Sequence, residues 1–293
     1  MVKESVVHIC AINIAMHNPH SADRYVRLFN KIFSLKKIIP TRGLNGVLMG
    51  SLRELVKDEP WKGLTGEFYQ FIQLDSNEPW FDLDSKDEAS TDDLKKIVIP
   101  EKLKPHLARF VFIFFPREHR LFVQVKSGSR SLGPATVKAV MERLLADDNL
   151  EEFGTIEVTV IPEFDSVDKI FALPYLRTIK IELVRPNPDD HDEAERLLLE
   201  RLISQNAKKM TVELNSNRTM QLTPDDQTKV LAKVASTNGS VVATGKDNHG
   251  KSVKISTVDT PLLERIYYST AIQTMHAAFY EAADRINRHL VRK

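Results

Sequence analysis

The tight apolar run Val111–Phe115 has the length of a β-strand. No stretch approaches the roughly 20 apolar residues of a membrane-spanning helix. The same run opens the clearest hairpin signal. Arg109–Phe115 and Leu121–Lys126 flank a tip made of Pro116-Arg117-Glu118-His119-Arg120. A chain built around such a unit must pair further strands and cover their apolar faces. The remaining segments alternate between strand and helix signals. We therefore expect an α+β protein with mixed or antiparallel sheets, ferredoxin-like βαβ elements and a long C-terminal helix. At 293 residues, 42% of them hydrophobic, the chain can bury a core without covalent staples.

Val6–Met16 reads as a buried strand. Ser21 then caps a helix to about Lys37 whose apolar face is Tyr25, Leu28, Phe29 and Ile32. Val47–Val56 and Thr65–Leu74 read as strands. Asp75–Asp93 is acidic, with Pro79 inside it, and reads as a solvated loop rather than a metal site. Pro134 opens a helix to about Ala146 carrying Val137, Val140, Met141 and Leu144. Ile156–Ile161 is a strand and Asp165–Leu173 a short helix. Arg177–Val184 alternates apolar and polar residues, the pattern of a strand with one exposed face. Pro186-Asn187-Pro188 marks a boundary, followed by a helix from Asp189 to about Asn206. Met210–Leu214 pairs in our reading with Thr219–Leu222. A helix follows from Thr223-Pro224 to Ser236. Val241–Gly245 and Ser252–Val258 form a second hairpin. Thr260-Pro261 opens a last helix to about Leu290, roughly 45 Å long at 1.5 Å per residue. A helix of that length outruns a domain of this size, so it is expected to join two copies. Three segments result: 1–100, 101–187 and 188–293.

One cysteine, Cys10, excludes an internal disulfide framework and cysteine-cluster zinc sites. The N-terminal stretch has polar interruptions at His8 and Asn13 and does not read as a signal peptide, so a cytoplasmic location is expected. Phosphate-loop, dinucleotide-binding, serine-elbow, zinc-helix and calcium-loop patterns do not occur. These absences weaken the common enzyme classes and leave room for an unfamiliar active site; no cofactor, metal or catalytic residue is assigned. His17 and His20 flank Asn18-Pro19 and would hold a metal only with a third ligand such as Asp23; a polar turn is the plainer reading. His119 lies between two arginines and fits a phosphate contact or a general acid/base.

Charge distribution is more informative than the net charge of +1. Between Lys102 and Arg143 nine basic residues meet only Glu118 and Glu142, a local balance of about +7. Lys126-Ser127-Gly128-Ser129-Arg130 adds hydroxyls and backbone amides suited to phosphates. The second hairpin tip is basic too. We therefore assign nucleic-acid contacts to Arg117, His119, Arg120, Lys126, Arg130, Lys138, Lys246, Lys251 and Lys254. The same charges also fit a solvated surface balanced by acid elsewhere.

From about Arg109 to Asn287 the order of features resembles the RexA-like phage-exclusion proteins. The resemblance rests on the hairpin, Leu132-Gly133-Pro134-Ala135-Thr136 opening a helix, Asp165-Ser166-Val167-Asp168, the alternating strand Arg177–Glu182, the hairpin within Gly239–Thr257 and the terminal helix. The whole chain also resembles a bacterial domain family of unknown function, through Asn13-Ile14, Trp80, Arg185-Pro186-Asn187 and Asn238-Gly239. The RexA resemblance implies a non-enzymatic homodimer that binds double-stranded DNA with little sequence preference. Such a protein would act in anti-phage defence with a second, membrane-bound protein. The alternatives are a nuclease using His119 or His17 and a protein-interaction subunit of a defence complex.

Overall fold

The computed structural model describes residues 4–17, 20–74, 78–100, 102–186, 193–217 and 220–291. In chain order the elements are β1 (Glu4–Met16), α1 (Ala22–Leu35), β2 (Ile39–Pro40), β3 (Asn45–Glu54), β4 (Leu64–Ile72), β5 (Phe81–Asp82), β6 (Asp87–Glu88) and α2 (Thr91–Leu94). Next come β7 (Ala108–Phe115), β8 (Arg120–Gln124), β9 (Lys126–Ser127), β10 (Arg130–Ser131), α3 (Pro134–Leu145), β11 (Ile156–Val160), α4 (Ser166–Phe171) and β12 (Tyr175–Val184). The chain ends with α5 (Glu193–Ser204), β13 (Lys209–Asn215), α6 (Asp226–Thr237), β14 (Gly239–Lys246), β15 (Ser252–Ser256), β16 (Leu263–Ser269) and α7 (Met275–Val291). Among the described residues no helix is long and apolar enough to cross a membrane.

An eight-stranded sheet runs β11-β1-β8-β7-β4-β3-β2, with β16 also on β1. β1 is long enough to take β16 along Glu4–Cys10 and β11 along Ile12–Met16. Both sides of this strand are apolar, which suits a central position covered on two faces. Cys10, Ile12, Ile14 and Met16 join Phe110, Phe112 and Phe114 of β7 in a core under α1 and α3. Val7, Ile9 and Ala11 join Val111, Ile113 and Phe115 in a second core under α7.

The helices form where their end signals stand. Ser21 Oγ accepts the Arg24 amide at 3.2 Å, and Lys36 closes α1 in the left-handed conformation. Tyr25 pins α1 to β1. Its hydroxyl donates to the Ile14 carbonyl and accepts the Met16 amide, both at 2.8 Å. Pro134 begins α3 at a position where no amide proton is needed.

The smaller sheet has four strands in the order β13-β12-β14-β15. Every strand pairing in both sheets is antiparallel, and the ferredoxin-like unit is present as a split βαβ. β8 and β11 flank β1 and are joined through α3. β13 and β14 flank β12 and are joined through α6. The large sheet draws strands from all three segments marked out in the sequence, so the sheets cut across that division. Asn187 and Pro188 lie outside the described residues, as does the expected helix start at Asp189. The two sheets are joined by a buried amide pair. Asn13 Nδ2 donates to Asn238 Oδ1 at 3.0 Å and to the Thr237 carbonyl at 3.1 Å. Lys208 adds an ion pair to Glu157 at 2.9 Å.

Two expected elements are corrected. The last helix begins at Met275, not near Thr260, and its 17 residues span about 26 Å. Leu263–Ser269 is instead a strand on β1. The helix lays Phe279, Ala282, Ala283 and Ile286 on its own sheet, which removes the reason for assigning it a dimer contact. Met220–Leu222 is not a strand, and β13 pairs with β12. The acidic stretch keeps an exposed character, with the two-residue strands β5 and β6 and the single turn α2.

Candidate nucleic-acid interface

The four-stranded sheet has one covered face and one bare face. Leu176, Ile179, Ile181, Leu183, Val241 and Ala243 point inward and pack on α4, α5 and α6. Past a register shift at Arg177, β12 alternates and leaves Thr178, Lys180 and Glu182 on the opposite side. Cross-strand register places Thr178 beside Thr244, and Thr244 beside Lys254. The two threonine hydroxyls are 2.6 Å apart. Toward the larger sheet this face is ionically balanced. Glu182 takes both Lys180 and Lys209 at 2.7 Å, and these two partners hold its carboxyl below the usual range.

The far end of the bare face has a different character. Tyr175, 55% exposed, lies opposite Lys246, and Lys246 lies opposite Ser252. The β14–β15 turn is tied by Asp247 Oδ1, which accepts the amides of His249 and Lys251 at 2.9 Å each. Gly250 supplies the left-handed residue at this turn, φ +75°. Lys246, Lys251 and Lys254 are exposed, and among the described residues they form no ion pair. Three cations, an aromatic ring and hydroxyl side chains thus share one end of an uncovered sheet.

The other six expected contacts do not join them. Arg117 is exposed on the β7–β8 turn beside a cleft of about 340 Å³ lined by Trp61, Phe115, Asn287 and Arg288. Arg120 donates to the Asn287 carbonyl at 3.2 Å and to the Leu290 carbonyl at 3.5 Å, closing the C-terminal end of α7. Lys126 and Arg130 stand at the opposite end of β8, about 20 Å away at 3.3 Å per residue. Arg130 donates to Asn45 Oδ1 at 3.3 Å. Lys138 is paired with Glu142 at 3.7 Å.

His119 is not a surface residue. It is 1% exposed, with φ 57°, and its ring folds inward from the hairpin tip. It stacks on Tyr25 at 4.9 Å between centroids and meets His20 edge-on at 4.5 Å. Nδ1 lies 3.2 Å from the Pro116 carbonyl oxygen. Burial first, and then His20, push its pKa down to about 3. A neutral ring sealed from solvent neither contacts a phosphate nor serves as a general acid on a polymer. His17 lies nearby and is likewise shifted down, by burial first and then by Arg185. Among the described residues no group of three His, Cys, Asp or Glu side chains is arranged to hold a metal ion. Burial also pushes the Cys10 thiol up to about 12.

Sequence reasoning missed Tyr175, Thr178 and Thr244 as parts of one surface. The alternation of Arg177–Val184 was the signal, since it announced a bare face without showing what would share it. The scraps Asn13-Ile14 and Asn238-Gly239 also gain a physical meaning, for they carry the amide pair that joins the two sheets.

A comparison with curated proteins finds none similar to this chain. A family model described as "Domain of unknown function (DUF4747)" matches residues 6–284, nearly the whole chain, and the protein belongs to that family.

Proposed function

We propose that the protein binds nucleic acid, without catalysis and with little sequence preference, on the bare face of its C-terminal sheet. The observation that carries this reading is the grouping of Lys246, Lys251 and Lys254 on one hairpin, apart from any carboxylate partner among the described residues. Cations placed this way neutralise phosphates and release counterions. Thr178, Thr244 and Ser252 add hydroxyl donors for the backbone, and Tyr175 offers a ring on which a base can stack. The reading keeps the charged hairpin and drops the other six assigned contacts, which do not join it.

Fluorescence anisotropy with labelled single-stranded and duplex DNA tests the proposal. Three neutralised phosphates imply a roughly 40-fold loss of affinity between about 50 and 200 mM salt. Replacing all three lysines by Glu should weaken every sequence alike, by more than about tenfold. Absence of binding to either DNA at low salt and about 10 μM protein rejects the proposal. A role in anti-phage defence with a membrane-bound partner extends this reading along the RexA resemblance. It is tested by whether deleting the gene from its host changes phage plating.

A further inference from the structure

The exposed edge of the large sheet at β16 is, we propose, the surface through which two copies of this chain pair, strand to strand and antiparallel about Ile266. A free edge presents unpaired amides and carbonyls, and proteins ordinarily blunt such edges with proline, lysine, short length or a covering element. The other edges here do so. β2 is two residues long and ends in Pro40. β11 is met by the smaller sheet, where Lys208 pairs with Glu157. β13 carries Lys209 and Glu213, and β15 carries Lys254. β16 has seven residues and contains neither lysine nor proline; its two charges, Glu264 and Arg265, are adjacent and of opposite sign.

Its surroundings are also apolar where solvent would be expected to favour polar residues. Leu263 is 48% exposed, Tyr267 66%, and Ile272 just beyond the strand 83%. Val6 faces Tyr267 across β1 and is 42% exposed. Leu263, Tyr267 and Val6 stand on the face that α1 and α3 leave uncovered at this end of the sheet, while Ile266 and Tyr268 turn toward α7.

The strand is complementary to itself. Ile266 is its midpoint, so a two-fold axis there engages all seven residues. Arg265 then lies opposite the partner's Tyr267, twice, a cation facing an aromatic ring. Glu264 lies opposite the partner's Tyr268, whose hydroxyl can donate to the carboxylate. A single strand pair is small beside the roughly 800 Å² per partner of a stable interface, so the dimer should depend on concentration.

Light scattering after size exclusion across a concentration series reads the outcome. The wild type should move from monomer toward dimer. Tyr267→Lys places a cation against Arg265 and should raise the dissociation constant more than about tenfold, which is what loss of a paired contact at a two-fold axis yields. Combining it with Arg265→Glu restores opposite charges across the axis and should restore the dimer. Hydrogen exchange of the unmodified protein supplies a readout free of folding effects, since amides within Leu263–Ser269 should slow as concentration rises. A monomer at about 100 μM, where even a Kd near 10 μM would leave mostly dimer, overturns the proposal. So does a dimer indifferent to Tyr267→Lys, or exchange in β16 that ignores concentration.

Discussion

The eight-stranded sheet is covered on both faces except at its β16 end, and the four-stranded sheet on one. The contrast begins in composition. In β7, Phe110, Phe112 and Phe114 face one core, while Val111, Ile113 and Phe115 face another. In β12, Ile179, Ile181 and Leu183 face a core, while Thr178, Lys180 and Glu182 stand on the opposite face among polar side chains such as Thr244 and Lys209. A strand apolar on both sides must be buried in the middle of a layered structure. A strand apolar on one side has a second surface free for other work. The first sheet is thus built as a scaffold, and the second presents a surface.

The contrast can be broken most forcefully at Phe114. Its ring stacks on Phe29 at 4.1 Å and is fully buried between the large sheet and α1. Phe114→Ala should lower the free energy of unfolding by about 3–5 kcal/mol, measured by urea denaturation. A cost below about 1 kcal/mol would mean that the core under α1 can close over the gap, and that the large sheet is less of a scaffold than its two-sided core implies.

A middle-sized effect comes from His119, buried on the same side of the large sheet. Its folded pKa of about 3 lies below the unfolded value near 6.5. The unfolded chain therefore binds the extra proton between these values. Stability is fully present above the unfolded pKa and drains as pH falls toward 3. Between pH 7 and pH 5 this one group should cost about 2 kcal/mol. His119→Asn, chosen because Asn tolerates positive φ, should lose that much less over the same interval. Equal losses in both proteins would place the acid sensitivity elsewhere, with His17 the next group to test.

Much of the large sheet was legible in the sequence because its signals are local. Ser21, Pro134 and the β7–β8 hairpin each announce an element through neighbours in the chain. The misread segments depend on distant partners. Leu262 and Ile266 have helical spacing, so Thr260–Ser269 looked continuous with the last helix. Ile266-Tyr267-Tyr268 is rich in β-formers, yet its partner strand lies at the other end of the chain, at Ser5–Val7. His119 was misplaced for a related reason. Hairpin tips are usually wet, and this one stays wet at Arg117, but Tyr25 and His20, arriving from α1 and the segment before it, bury His119. The candidate site was half legible: the charges of Lys246, Lys251 and Lys254 are plain in the sequence, but the dispersal of the other six is set by tertiary contacts.

The smallest expected effect is the one that most sharpens the comparison. Thr178 and Thr244 share a 2.6 Å contact on the bare face. Replacing both by Val removes donor and acceptor together, keeps the side-chain shape, and suits strand backbone, so the net change in stability should stay below about 0.5 kcal/mol. Urea denaturation of the double variant beside Phe114→Ala gives the ratio directly. If the bare face is solvent-facing, the two substitutions differ several-fold. If the valines instead cost as much as a core truncation, a polar network on that face is holding the sheet together, and the surface assigned here to a ligand would belong to the fold.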